Sequence, residues 1–211
     1  MKLWQKKILI GLVSVLALTI LYPVYLKVHQ PEMKREAQLA SMLQAQTETS
    51  EESLHLDEAT KITGCNVQGS LPDHECTPGA VFENATKEQI CVSGYSATVR
   101  KVSTSLKKKI FANYGIAYPV PYGSYEVDHL IPLALGGSNE AANLFPESAE
   151  PYPGFKEKDV VENYLHEEMC AGRIDLNMAQ VQIANDWLKI YNNLSPKVIE
   201  DLKNKYRSWA N

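Results

Sequence analysis

The stretch Glu126-Val127-Asp128-His129-Leu130-Ile131-Pro132, followed by Gly136-Gly137-Ser138-Asn139 and then Asn143-Leu144-Phe145-Pro146, decides how this chain is read. Tyr125 to Leu133 reads as a strand, with Asp128 and His129 adjacent on it. Neighbours on a strand point to opposite faces unless the strand end bends. Pro132 removes a ladder donor and marks where the strand ends or bulges. At such an end a carboxylate and an imidazole can both approach one site. Gly136-Gly137 makes a turn, and Asn143 on the returning strand can bond the backbone or the imidazole and fix its orientation. A neutral His can deprotonate water near neutral pH, while a carboxylate holds a divalent cation opposite a scissile phosphate.

Working outward, Ser103 can cap a helix to about Tyr114, with Leu106, Ile110 and Tyr114 recurring at i, i+4, i+8. Phe155 to Met169 reads as a helix with an apolar side of Val161, Leu165 and Met169, stopped by Ala171-Gly172. Leu176 to Tyr191 is another, and Pro196 opens a last helix to about Trp209. Gly64 to Glu83 is rich in Gly, Pro and Asp, hence loops held by cysteines, and His74 reads as a loop histidine. These elements predict a helix-rich α+β domain over residues 64–211, built around one short hairpin.

The rest of the chain is an appendage of two parts. Ile8 to Leu26 is a run of nineteen residues without a charge, about 28 Å long as a helix and close to the thickness of a hydrocarbon core. Residues 1–30 are therefore expected to form a transmembrane anchor; the alternative is a signal peptide, although no A-x-A-like site follows closely. Residues 31–63 read as a polar, acidic tether, in which His55 is inert. The four cysteines all follow the apolar run, with 10, 14 and 78 residues between them, which fits no C-x₂₋₄-C zinc pattern. Two disulfides in one of three pairings are expected, and with them an extracytoplasmic domain, tethered or, in the alternative, secreted.

The net charge is −4, from 21 basic and 25 acidic residues, so no global basic field marks a nucleic-acid binder. The N-terminal 30 residues hold four Lys and no acid, which leaves the folded part acidic overall. A local exception is Arg100, Lys101, Lys107, Lys108 and Lys109, five bases in ten residues, which are candidate phosphate contacts. No recognition-helix pattern accompanies them, so sequence-specific readout is not expected.

The pattern D-H-x-x-P-x-x-x-G-G-x-x-x-x-x-N-L from Asp128 to Leu144 resembles the HNH endonucleases of the ββα-metal superfamily. The stretches CTPGAVFENATKEQICVSGYSATVRKVS from Cys76, NLFPES from Asn143 and KDVVENYLHEEMCAG from Lys158 are similar to one bacterial branch of it, so the likeness spans about Cys76 to Trp187. The resemblance implies a ββα-metal hairpin-helix motif and cleavage of DNA, sometimes RNA, with one divalent metal. It makes Asp128 a metal ligand, His129 the general base and Asn143 the structural middle residue. Many HNH proteins carry a further His or Asn about nine residues beyond that Asn; here the position falls in Glu150-Pro151-Tyr152-Pro153-Gly154, which reads as loop.

The last ligand is then expected from the following helix, where Asp159, Glu162, Asn163 and His166 lie opposite the apolar stripe. Glu162 and His166 are spaced i, i+4 to share one ion, and Asn163 is the chemical match to an HNH ligand. Mg²⁺ is the default ion, and a site using His166 would tolerate Mn²⁺, Ni²⁺ or Zn²⁺ better. The expectation is a membrane-tethered endonuclease of low sequence specificity, with DNA its favoured partner. Its alternatives are a catalytically inactive binding module with the same fold and a membrane-anchored scaffold for a protein partner.

Overall fold

The computed structural model of the chain describes residues 58–207, and these form a mixed fold of six α-helices and one two-stranded sheet. The expected membrane segment and nearly all of the tether lie outside the described residues. Among the described residues, no helix is long and apolar enough to cross a membrane. In chain order the elements are α1 (Lys87–Ile90), α2 (Tyr95–Val99), α3 (Thr104–Asn113), β1 (Tyr125–His129), β2 (Leu144–Ser148), α4 (Phe155–Cys170), α5 (Leu176–Asn193) and α6 (Pro196–Lys205).

The hairpin is antiparallel, with Tyr125 opposite Ser148 and His129 opposite Leu144. The strand stops at His129 rather than running to the expected Leu133, and the side chain of Asn143 is the reason. Leu130 N–H still donates to the Asn143 carbonyl, at 2.8 Å. Ile131 N–H instead donates to Asn143 Oδ1, while Asn143 Nδ2 donates to the carbonyls of Ile131 and Ser138, each at 2.9 Å. One amide thus takes over the ladder and straps the connection into a fixed shape. Two short 3₁₀ turns, Leu133–Leu135 and Ala141–Asn143, carry the chain round. Gly136 has φ +75, and a Cβ on Gly137 would lie 1.7 Å from the Ile131 carbonyl oxygen. The first glycine supplies a left-handed turn and the second a close backbone approach that no side chain permits.

The helices begin where their caps place them. Ser103 accepts from Leu106 N–H ahead of α3, Asp175 from Met178 N–H ahead of α5, and Ser195 from Val198 N–H ahead of α6, where Pro196 opens the first turn. Helix α4 follows Gly154, whose N–H donates to Glu157 Oε2 at 3.2 Å. Helix α5 is interrupted at Asp186, which takes an extended conformation (φ −165, ψ 85) and accepts from Lys189 N–H, so that it caps a second helical segment. Helix α6 ends at Lys205, short of the expected Trp209, which lies beyond the described residues.

Leu130, Ile131, Leu144 and Phe145 from the hairpin meet Val161, Leu165 and Met169 of α4 and Ile183, Ala184 and Trp187 of α5, all at most 1% exposed. Each large side chain so buried contributes about 1.5–3 kcal/mol, which fixes α4 against the hairpin. Two disulfides complete the frame, Cys65–Cys76 and Cys91–Cys170. The second closes a span of 79 residues and joins the end of α1 to the last residue of α4.

Candidate functional site

The site candidates converge where the hairpin meets α4. Glu126 and Asp128 of β1 share a sheet face with Phe145 and Glu147 of β2, because Glu126 pairs with Glu147 and Asp128 with Phe145. His129, the last residue of β1, belongs to the other face by alternation. At the strand end its Nδ1 nevertheless lies 3.7 Å from Asp128 Oδ1. The sequence-derived pair is therefore brought together at a strand end, with His129 buried and the Asp128 side chain 23% exposed.

Asn139, which the sequence reading left unassigned, fixes the imidazole. Its Nδ2 donates to the Val99 carbonyl at 2.8 Å and its Oδ1 accepts from Lys101 N–H at 3.0 Å, which sets the orientation of the amide. His129 Nε2 lies 3.3 Å from the same Oδ1. An amide oxygen can only accept, so Nε2 carries a ring proton, and Nδ1 is the nitrogen that faces Asp128. The same contacts tie the basic segment at Arg100 and Lys101 to the histidine. Arg100, Lys101, Lys107 and Lys108 are all exposed, and the Lys108 ammonium lies 5.2 Å from the centre of the Tyr118 ring.

From α4 comes a residue that the apolar-stripe reading did not single out. Lys158 precedes Val161 and Leu165 by three and seven residues, so it lies on the core-facing line, and its side chain is fully buried. Its ammonium donates to Asp128 Oδ2 at 3.0 Å, to the His129 carbonyl at 2.7 Å and to Glu162 Oε1. A lysine has three N–H donors, and these three acceptors use them all. Glu147 Oε2 lies 3.9 Å from the same nitrogen, and neither Glu147 oxygen has a hydrogen-bond partner among the described residues, although the side chain is fully buried.

The charges respond to this crowding. Burial opposes ionisation of Asp128, yet the Lys158 ammonium outweighs it and holds the carboxyl well below the usual range. Burial also disfavours the Lys158 charge, but Asp128, Glu162 and Glu147 together push its pKa well above normal. Glu162 is raised to about 8, first by burial and then by Asp128, against the pull of Lys158. Glu147 is pushed well above the ordinary carboxylate range by burial, which Lys158 only partly offsets.

Of the expected helix ligands, Glu162 is joined to Asp128 through Lys158. Asn163 Nδ2 donates to the carbonyl of Asp159, one turn back on its own helix. His166 faces the far end of α4, where its Nε2 lies 3.5 Å from Cys170 Sγ. Cys91, His166 and Cys170 have donor atoms within 4.8 Å of one another, a grouping that could hold a metal ion, but both sulfurs are joined in the disulfide. His74 is half-buried beside Asp73, and its pKa is lowered by burial.

No family model, no curated protein and no solved structure matches the chain.

Proposed function

We propose that the chain is a metal-dependent endonuclease of the HNH type, acting on DNA with low sequence specificity. The observation that carries this reading is the pairing of His129 with Asp128 at the end of β1, in a hairpin pinned by Asn143 and backed by α4. That hairpin-helix arrangement is the one the resemblance to the ββα-metal superfamily implies.

A metal fits the donor set. Asp128 and Glu162 already converge on a place that attracts a cation, and the unpartnered oxygens of Glu147 add hard acceptors beside it. Carboxylate oxygens suit Mg²⁺ or Mn²⁺, and with His166 turned to Cys170 there is less reason to favour Ni²⁺ or Zn²⁺. Asp128 and Glu162 would hold the ion, which supplies neutralisation of charge on the scissile phosphate and the leaving 3′ oxygen.

The residues of the chain perform the rest. His129 Nδ1 accepts a proton from water, and Asp128 beside it stabilises the imidazolium that results. Asn139 keeps the proton on Nε2, so that Nδ1 is the basic nitrogen. With His129 itself buried, water reaches it past the partly exposed Asp128. Arg100 and Lys101, held next to Asn139, and Lys107 and Lys108 on α3 supply cations for the nucleic-acid backbone. The two disulfides support an oxidising, extracytoplasmic location, with residues 1–30 as the membrane tether.

A binding module without catalysis is the second reading, favoured by the Lys158 ammonium standing between the carboxylates. The test is plasmid cleavage by the full chain in detergent with Mg²⁺ or Mn²⁺, beside an EDTA control and His129→Ala. The expected result is loss of supercoiled plasmid only with metal, and a rate about 10²–10⁴-fold lower in the variant. Intact plasmid, single-stranded DNA and RNA with either ion would leave the binding module standing.

A further inference from the structure

The Lys158 ammonium is surrounded by more oxygen than it can serve. Asp128, the His129 carbonyl and Glu162 take its three protons, and Glu147 stands at 3.9 Å with both oxygens buried and unpartnered. A buried carboxylate without a partner is costly, and a native fold seldom keeps one without a use for it. A divalent cation accepts six or more oxygen ligands where an ammonium donates to three. Two carboxylates, a carbonyl and the spare Glu147 carboxylate are thus a donor set better matched to a divalent ion than to the lysine among them. The Nζ–oxygen distances of 2.7, 3.0 and 3.9 Å exceed the roughly 2.0–2.6 Å of Mg²⁺ or Ca²⁺ bonds, so these groups would close in around an ion.

We propose that Lys158 is an internal stand-in for the divalent ion: its ammonium holds the cage of Asp128, Glu147 and Glu162 together in the metal-free protein, metal entry displaces it, and Glu147 is then a ligand. This rests on the reading of Asp128 as an ion-holding carboxylate and adds to it a third carboxylate and a competing cation. The lysine has two effects of opposite sign. It pairs with Asp128 and Glu162 and fills the space beside Glu147 before metal arrives, and it weakens apparent metal affinity by the fraction of time it fills the cage. Displacement also sends a positive charge from the interior towards the partly exposed mouth at Asp128, where a substrate phosphate would lie.

The test measures Mn²⁺ binding to the metal-stripped full chain in detergent, without nucleic acid, by electron paramagnetic resonance and by the rise in Tm with added ion. Lys158→Met is expected to bind Mn²⁺ at least tenfold more tightly than the parent and to show a larger Tm increase on metal addition. Glu147→Gln is expected to bind at least tenfold more weakly while its metal-free Tm stays level or rises. Unchanged or weaker binding in Lys158→Met overturns the displacement, and unchanged binding in Glu147→Gln overturns the ligand assignment. If Lys158→Met does not fold without metal, refolding on Mn²⁺ addition supports the proposal and failure to refold counts against it. A parent that cuts DNA with Mn²⁺ while Glu147→Gln binds as the parent does would sink this inference and spare the nuclease. Glu147-dependent Mn²⁺ binding without cleavage of any nucleic acid would do the reverse.

Discussion

Asn143 and Glu147 lie four residues apart on the return of one hairpin, both polar and both buried, and the protein treats them in opposite ways. The Asn143 amide makes three hydrogen bonds, at 2.9 Å each, to the backbone of the connection it straps. Glu147 makes none. Polar atoms of the first kind fix a shape, and the core has adapted to them. Those of the second kind are held at a cost, beside an ammonium whose protons are committed elsewhere. A stability screen across this hairpin should therefore separate scaffold from site: scaffold positions lose stability on substitution, and site positions lose little or gain.

The sharpest break in that contrast comes at Gly137. A Cβ there would sit 1.7 Å from the Ile131 carbonyl oxygen and 2.9 Å from Asn143 Nδ2. Gly137→Ala is expected to cost about 4 kcal/mol or more, seen as a large fall in the urea midpoint of the full chain. Asn143→Ala comes next, at about 3 kcal/mol, because it leaves Ile131 N–H and two carbonyls buried without partners. A loss below about 1 kcal/mol would show that water replaces the strap and that Asn143 is no more a scaffold residue than Glu147.

The effect that begins smallest, at acid pH, is the most diagnostic. Glu147 holds its proton to higher pH in the folded chain than in the unfolded one, because burial raises its pKa. The unfolded chain therefore releases that proton first as pH rises, and the folded state loses stability above about pH 4.5. Glu147→Gln, measured in EDTA, should match the parent near pH 4 and then exceed it. The gap should widen by up to about 1.4 kcal/mol per pH unit until the folded group also ionises. A gap that stays flat with pH would mean that Glu147 titrates normally, and that it is no more strained than Asn143.

The hairpin was legible because its chemistry is local. Pro132 and the glycine pair each impose one backbone geometry within a few residues, and Ser103 and Pro196 mark helix starts in the same way. The reach of β1 was overestimated because nothing in Leu130 to Leu133 shows that an amide twelve residues downstream of Ile131 will replace the ladder. Lys158 escaped for a different reason. Reading a stripe by its apolar members sets charged residues on the solvent side, and a lysine on the stripe is legible only if its position, three and seven before Val161 and Leu165, is weighed above its charge. Glu147 could have been suspected from its alternation with the fully buried Phe145. Asn139 and the choice among disulfide pairings both depend on segments distant in sequence, which only the folded chain brings together.

The Cys91–Cys170 bond decides what a protease cut does to this chain. β1, β2 and nearly all of α4 lie between its two ends, so they belong to a covalently closed ring. One exposed part of that ring is the turn near Tyr118 and Tyr122. A single cut there opens the ring without releasing a fragment, and the two pieces stay joined through sulfur with the hairpin and α4 on the same piece. Such a nicked protein would run as one band on a gel until a thiol is added, and as two afterwards. The Asp128–His129 pair, the Asn143 strap and Lys158 would all lie on the C-terminal piece.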